Sequence, residues 1–148
     1  MTENKADFST LVELYGSDED KTTKGVPVHI GLNRKNDPVI IYVAEAGNPN
    51  HKKSIRKYER TLASSRHNRK KIELTNAKIV AESILMGWEG IIDVNGDPVE
   101  ANLENRIQAL VASDKFFIDV IEAAQDPNNF SQDGICDEED TEGNSEAS

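Results

Sequence analysis

Leu74, Ala77, Ala81, Ile84 and Leu85 recur at the three- and four-residue intervals that place side chains on one face of an α-helix, and Trp88 prolongs the series. Such a stripe constrains the fold strongly, because other elements must cover it. We expect a helix from about Ile72 to Met86 in the core, with Gly87 as its C-cap and Trp88 buried at its end. The chain has 148 residues, enough for one core but not for two, and a charged fraction of 30% is too high for all of it to be interior.

The elements around that helix follow from local chemistry. Val26, Val28, Ile30 and Leu32 alternate onto one face of a strand, and Pro38 to Ala44 is β-branched, so the polar Asn33 to Asp37 between them predicts a hairpin turn. Pro27 lacks an amide hydrogen and suits an edge strand, and His29 falls on the solvent face. Gly47-Asn48-Pro49 predicts a helix start, with Asn48 as N-cap and Pro49 in the first turn, running to about Ser65 with Ile55, Tyr58 and Leu62 as its apolar stripe. Asn95-Gly96 between apolar residues signals a tight turn. Asn102 and Ser113 can each cap a helix, the first carrying Leu103, Ile107 and Leu110, the second Phe117, Val120, Ile121 and Ala124 up to Asp126-Pro127; together they read as an αα-hairpin. The expected fold is α+β and mainly α: a short N-terminal β-hairpin, then a bundle of about four helices. Residues 1–24 read as a flexible segment and loop in which 8–15 could dock as a strand or helical turn, 25–130 as one compact domain with Phe130 docked last, and 131–148 as a disordered acidic tail.

Charge is distributed in blocks. Asp133, Asp137, Glu138, Glu139, Asp140, Glu142 and Glu146 close the chain without a Lys or Arg, and without them the formal charge of −10 falls to −3. Lys52, Lys53, Arg56, Lys57 and Arg60 lie on the first long helix and are followed by Arg66, Arg69, Lys70 and Lys71, with Glu59 as the sole acid among them. This basic face could meet an acidic partner, or the chain's own acidic segment. Nucleic acid is disfavoured by a pI of about 4.7, an aromatic content of 5% and the lack of a base-stacking motif.

No catalytic pattern emerges. Cys136 is the single cysteine, and the surrounding carboxylates would raise its pKa rather than activate it. Asp93, Asn95 and Asp97 mimic the start of a calcium loop, yet Pro98 stands where that loop needs glycine, so the three read as turn chemistry. With no Gly-rich phosphate loop, nucleophile elbow or His-Glu-x-x-His motif, the sequence points to a binding protein rather than an enzyme, with no metal or cofactor. No run of about 20 apolar residues is present to span a membrane, and the N-terminus does not read as a signal peptide.

The order Ala46-Gly47-Asn48-Pro49-Asn50, then Ala81 to Ile91 with Gly87-Trp88-Glu89-Gly90, then Asp93 to Val99 and Ala124-x-Asp126-Pro127-x-x-Phe130 resembles the tail assembly chaperones of long-tailed bacteriophages. The resemblance covers about Gly25 to Phe130. It implies a non-enzymatic accessory protein that binds the tape measure protein, helps recruit tail tube subunits, can self-associate, acts in the host cell cytoplasm and is absent from the mature virion. The region near Trp88 would be one place for such contacts. A structural virion protein, such as a capsid or tail completion component, and a nucleic-acid-binding phage regulator are the alternatives. Only Gly47, Asn48, Pro49, Gly87, Trp88, Glu89 and Gly90 carry over as signature positions, with structural roles expected.

Overall fold

The computed structural model describes residues 8–11 and 19–131 of the 148-residue chain. In chain order it contains α1 (Glu19–Lys24), β1 (Val26–Leu32), β2 (Pro38–Val43), α2 (Pro49–Ser64), α3 (Arg69–Ser83), β3 (Leu85–Glu89), α4 (Leu103–Ala112), α5 (Asp114–Gln125) and a 3-10 turn at Pro127–Asn129. The mixed α+β class is as expected, and four long helices follow the hairpin. The expectations for residues 1–7, 12–18 and 132–148, the disordered tail among them, lie outside the described residues. Ser9, Thr10 and Leu11 are helical with Phe8 and Leu11 largely exposed, so these two do not dock on the core. Glu19–Lys24 is helical where the sequence reads as loop; the backbone N–H of Glu45 donates to the Thr22 carbonyl and so holds the turn against the start of the next connection.

The main departure is β3. The strands form an antiparallel sheet in the order β1-β2-β3, with Ile41 opposite Trp88, Tyr42 opposite Gly87 and Val43 opposite Leu85. Met86 is the extra residue of a bulge. A bulge turns the two-residue alternation of a strand into a three-residue step, so Leu85 and Trp88 both face the core as they would on a helix. The helix therefore ends at Ser83, Ile84 is its C-cap, and Gly87 lies in the strand rather than at a helix end. A second bulge, between His29 and Gly31, breaks the alternation of β1: Val26 is buried, but Ile30 and Leu32 are exposed. Pro27 lies on an edge strand and His29 is exposed, as expected.

The core is built on α3, which packs between α2 and α4 and against the sheet. It begins three residues before Ile72, where the Asn68 side chain accepts from the Lys71 amide. Because α3 is covered on several sides, Ile79 and Val80 are buried as well as Ala77 and Ala81, whereas Leu74, expected inside, is 40% exposed. On α2 the buried residue is Ser54, with Tyr58 and Leu62 half-buried; Ile55 is 42% exposed, so the docking face is rotated away from the expected stripe. The caps at Asn102 and Ser113, the stop at Asp126-Pro127 and the complete burial of Phe130 agree with the sequence.

Candidate functional site

The signature positions sit at two joints. Asn48 is 3% exposed and holds the first. Its Oδ1 accepts from the His51 amide at 3.0 Å, while its Nδ2 donates to the Glu45 carbonyl at 2.7 Å and to the Ser83 carbonyl at 3.1 Å. One side chain thus caps the start of α2 and satisfies an end carbonyl of α3, which locks the two helices at one end. Gly47 has φ +86, a conformation that favours glycine, and its N–H donates to His51 Nδ1 at 2.9 Å. Burial lowers the His51 pKa below its ordinary value. Pro49 occupies the first turn, where a missing N–H costs nothing.

The second joint is Gly87-Trp88-Glu89-Gly90. Trp88 is 9% exposed and its indole Nε1 donates to the Val99 carbonyl at 2.8 Å, tying β3 to the turn that follows. Trp88 is therefore a core residue. Glu89 Oε2 accepts from the Tyr42 hydroxyl at 2.6 Å across the sheet, and that bond raises the Tyr42 pKa, with burial and the carboxylate charge adding to it. Gly90 has φ +89, and a Cβ there would collide with the Pro38 carbonyl. The adjoining turn is closed by Asp93 Oδ1, which accepts from the Asn95 and Asp97 amides at 2.9 Å, and the hairpin loop reaches it through Lys35 Nζ, which donates to the Gly96 carbonyl at 2.8 Å. Among the described residues no group of three or more His, Cys, Asp or Glu is placed to hold a metal ion. No helix among them is long and apolar enough to cross a membrane.

Among the described residues, a cationic face and an apolar groove stand out as surfaces for partners. On the first, Lys52, Lys53, Arg56, Lys57 and Arg60 are all exposed on α2. Lys57 Nζ lies 3.3 Å from Glu82 Oε2. Glu82 also accepts from Tyr58 at 2.5 Å and Ser54 at 3.1 Å. Burial alone would push Glu82 up, but the hydrogen bonds from Tyr58, Ser54 and Lys57 outweigh it and hold the carboxyl below its ordinary value. The second surface was not anticipated. A groove of about 340 Å³ between α3 and the α4–α5 hairpin is lined by Leu110, Val111, Phe117 and Ile118, with Glu73, Asn76 and Asp114 at its polar edge. Val111 is 47% and Ile118 52% exposed. Neither belongs to the expected stripe of its helix, and that surplus of apolar residues was the available signal. Arg106 was also missed. Its Nε and Nη2 donate to the Ala81 carbonyl at 3.3 and 3.1 Å and its Nη1 to the Ala101 carbonyl at 2.6 Å, which caps the end of α3 and ties it to the start of α4.

Fold and surfaces together define a small mixed α+β protein whose described residues present an apolar groove and a cationic face. The chain belongs to the YdaY prophage protein family, whose model matches residues 46–144. The match begins at the Gly47-Asn48-Pro49 joint, takes in the Gly87-Trp88-Glu89-Gly90 joint and leaves out β1 and β2. It marks the chain as phage-derived. No curated protein and no solved structure matches it.

Proposed function

We propose that this protein is a non-enzymatic tail assembly chaperone that binds the tape measure protein and helps recruit tail tube subunits in the host cell cytoplasm, then leaves before the virion matures. The observation that carries the reading is the groove between α3 and the α4–α5 hairpin, an apolar floor with carboxylates at its edge. Such a groove suits the apolar face of an amphipathic helix, anchored by side chains spaced three and four residues apart, with basic residues flanking that face. A long helical tape measure protein offers many such stripes. Phage origin and the order of the two glycine-containing joints support the same reading.

The test is co-purification with the tape measure protein of the same phage. Val111→Glu with Ile118→Glu places two carboxylates on exposed groove positions, where a surface change shifts stability by only about 0.5 kcal/mol each. The pair should weaken capture by at least about tenfold, since a desolvated unpaired charge at an interface costs roughly 2 kcal/mol or more. Unchanged capture by the double variant would remove the groove from the function. Stoichiometric presence of the protein in purified virions would instead identify a structural component.

A further inference from the structure

The cations of the α2–α3 hairpin are exposed and almost unanswered by the rest of the fold. From Lys52 to Lys71 there are nine Lys or Arg and one acid, Glu59. All nine are exposed, and of these nine only Lys57 has an ion-pair partner among the described residues, Glu82. Neither helix has an acid in its first turn, although the positive end of a helix favours one; α3 instead starts with Arg69, Lys70 and Lys71. Lys52, Arg56 and Arg60 follow one another a turn apart along α2. At the far end, Arg66, His67 and Arg69 line a depression of about 330 Å³ together with Ile72 and Glu73.

We propose that this face is the docking surface for the chain's own acidic segment, Asp133 to Glu146. Charge is complementary: seven carboxylates with no Lys or Arg face nine cations with one acid. Reach is sufficient, because the Ala46 amide, two residues before the Asn48 cap of α2, donates to the Ala124 carbonyl at 2.9 Å and so sets the end of α5 beside the start of α2. The chain leaves the fold at a fixed point, with Phe130 fully buried and Lys21 Nζ donating to the Ser131 carbonyl at 3.2 Å. Beyond Ser131 the sequence continues for 17 residues, which extend to at most about 55–60 Å, against roughly 24 Å for the 16 residues of α2. Tethering raises the local concentration of the segment to about the millimolar range. A nucleic acid would use the same cations, but it would approach a chain of formal charge −10 and compete with the tethered carboxylates. The contact joins exposed groups, so it is salt-labile and leaves the face open to exchange.

Cys136 is the only cysteine and sits inside the segment, so a nitroxide can be attached there in the full-length protein. At about 50 mM salt the label should broaden the amide resonances from Lys52 to Lys71 at least about threefold more than those of β1 or α5, and at about 0.5 M salt, where the screening length is only a few ångströms, the excess should vanish. Lys52→Gln with Arg56→Gln and Arg60→Gln, all exposed positions without ion pairs, should remove the excess at low salt too. Broadening centred elsewhere, spread evenly over the surface, or unaffected by salt overturns the proposal. So does tight, salt-dependent binding of an oligonucleotide by the unlabelled protein that leaves the nitroxide effect absent, because the face would then belong to nucleic acid. Oligonucleotide binding that appears only after Asp137, Glu138, Glu139 and Asp140 are changed to their amides supports docking.

Discussion

Asn48 shows how much one side chain can decide. It makes three hydrogen bonds from a nearly solvent-free position, one to the start of α2 and two to carbonyls, of which that of Ser83 belongs to the far end of α3. Asn48→Ala removes a cap and leaves a buried carbonyl without one of its partners, so we expect a loss of about 1–3 kcal/mol, read from denaturant midpoints. A loss within error would mean that water substitutes for the amide. The neighbouring His51 links the same joint to pH. Its folded pKa lies below the ordinary 6.5, so the unfolded chain binds more protons in the interval between the two. The contribution is fully present above 6.5 and is lost as pH falls through the folded value, a direction consistent with the bond from Gly47 N–H, which needs an unprotonated Nδ1. Unfolding midpoints of wild type and His51→Gln, compared across that interval, should converge as the solution is acidified. A parallel pH response in both proteins would exclude His51 as the source.

Among the elements, β3 holds the lesson about periodicity. Leu85 and Trp88 are three residues apart, a step that both a helix and a bulged strand produce. The bulge is therefore what keeps both residues inside. Deleting Met86 leaves Leu85 and Trp88 two residues apart, so strict alternation keeps both on the core face without a bulge. Since Trp88 is the only tryptophan, its emission reports the result: we expect the folded state to persist with an unshifted emission maximum. A red-shifted emission or loss of the folded state would contradict the register of β2 against β3. The helices teach the opposite lesson. α2, α4 and α5 begin at Asn48, Asn102 and Ser113 as the sequence indicates, because each cap forms its bond within three residues and needs no tertiary partner. The buried faces are a different matter. Ile55 and Leu74 satisfy helical spacing and are nonetheless substantially exposed, because the angle at which neighbouring helices cross sets which side is covered.

At the scale of the whole molecule, Phe130 closes the described fold. Fully buried just beyond the 3-10 turn at Pro127–Asn129, it lies next to Ser131, whose carbonyl accepts from Lys21 near the other end of the described chain. Phe130→Ala should cost about 3–5 kcal/mol, measured by thermal or denaturant unfolding, and a loss below about 1 kcal/mol would mean that the ring is not packed as described. The sequence by itself determined the α+β class, the hairpin, the helix caps, the Asn95-Gly96 turn, the burial of Trp88 and Phe130 and the division of charge into blocks. These depend on contacts a few residues apart, or on composition, and so are written locally. Only the tertiary structure decided that Leu85–Glu89 is a third strand, that α3 is covered on several sides, that Arg106 caps it, and that Val111 and Ile118 meet across a groove. Strand pairing, helix rotation and the joining of two helix faces all depend on partners distant in sequence, and no spacing along the chain encodes where those partners will stand.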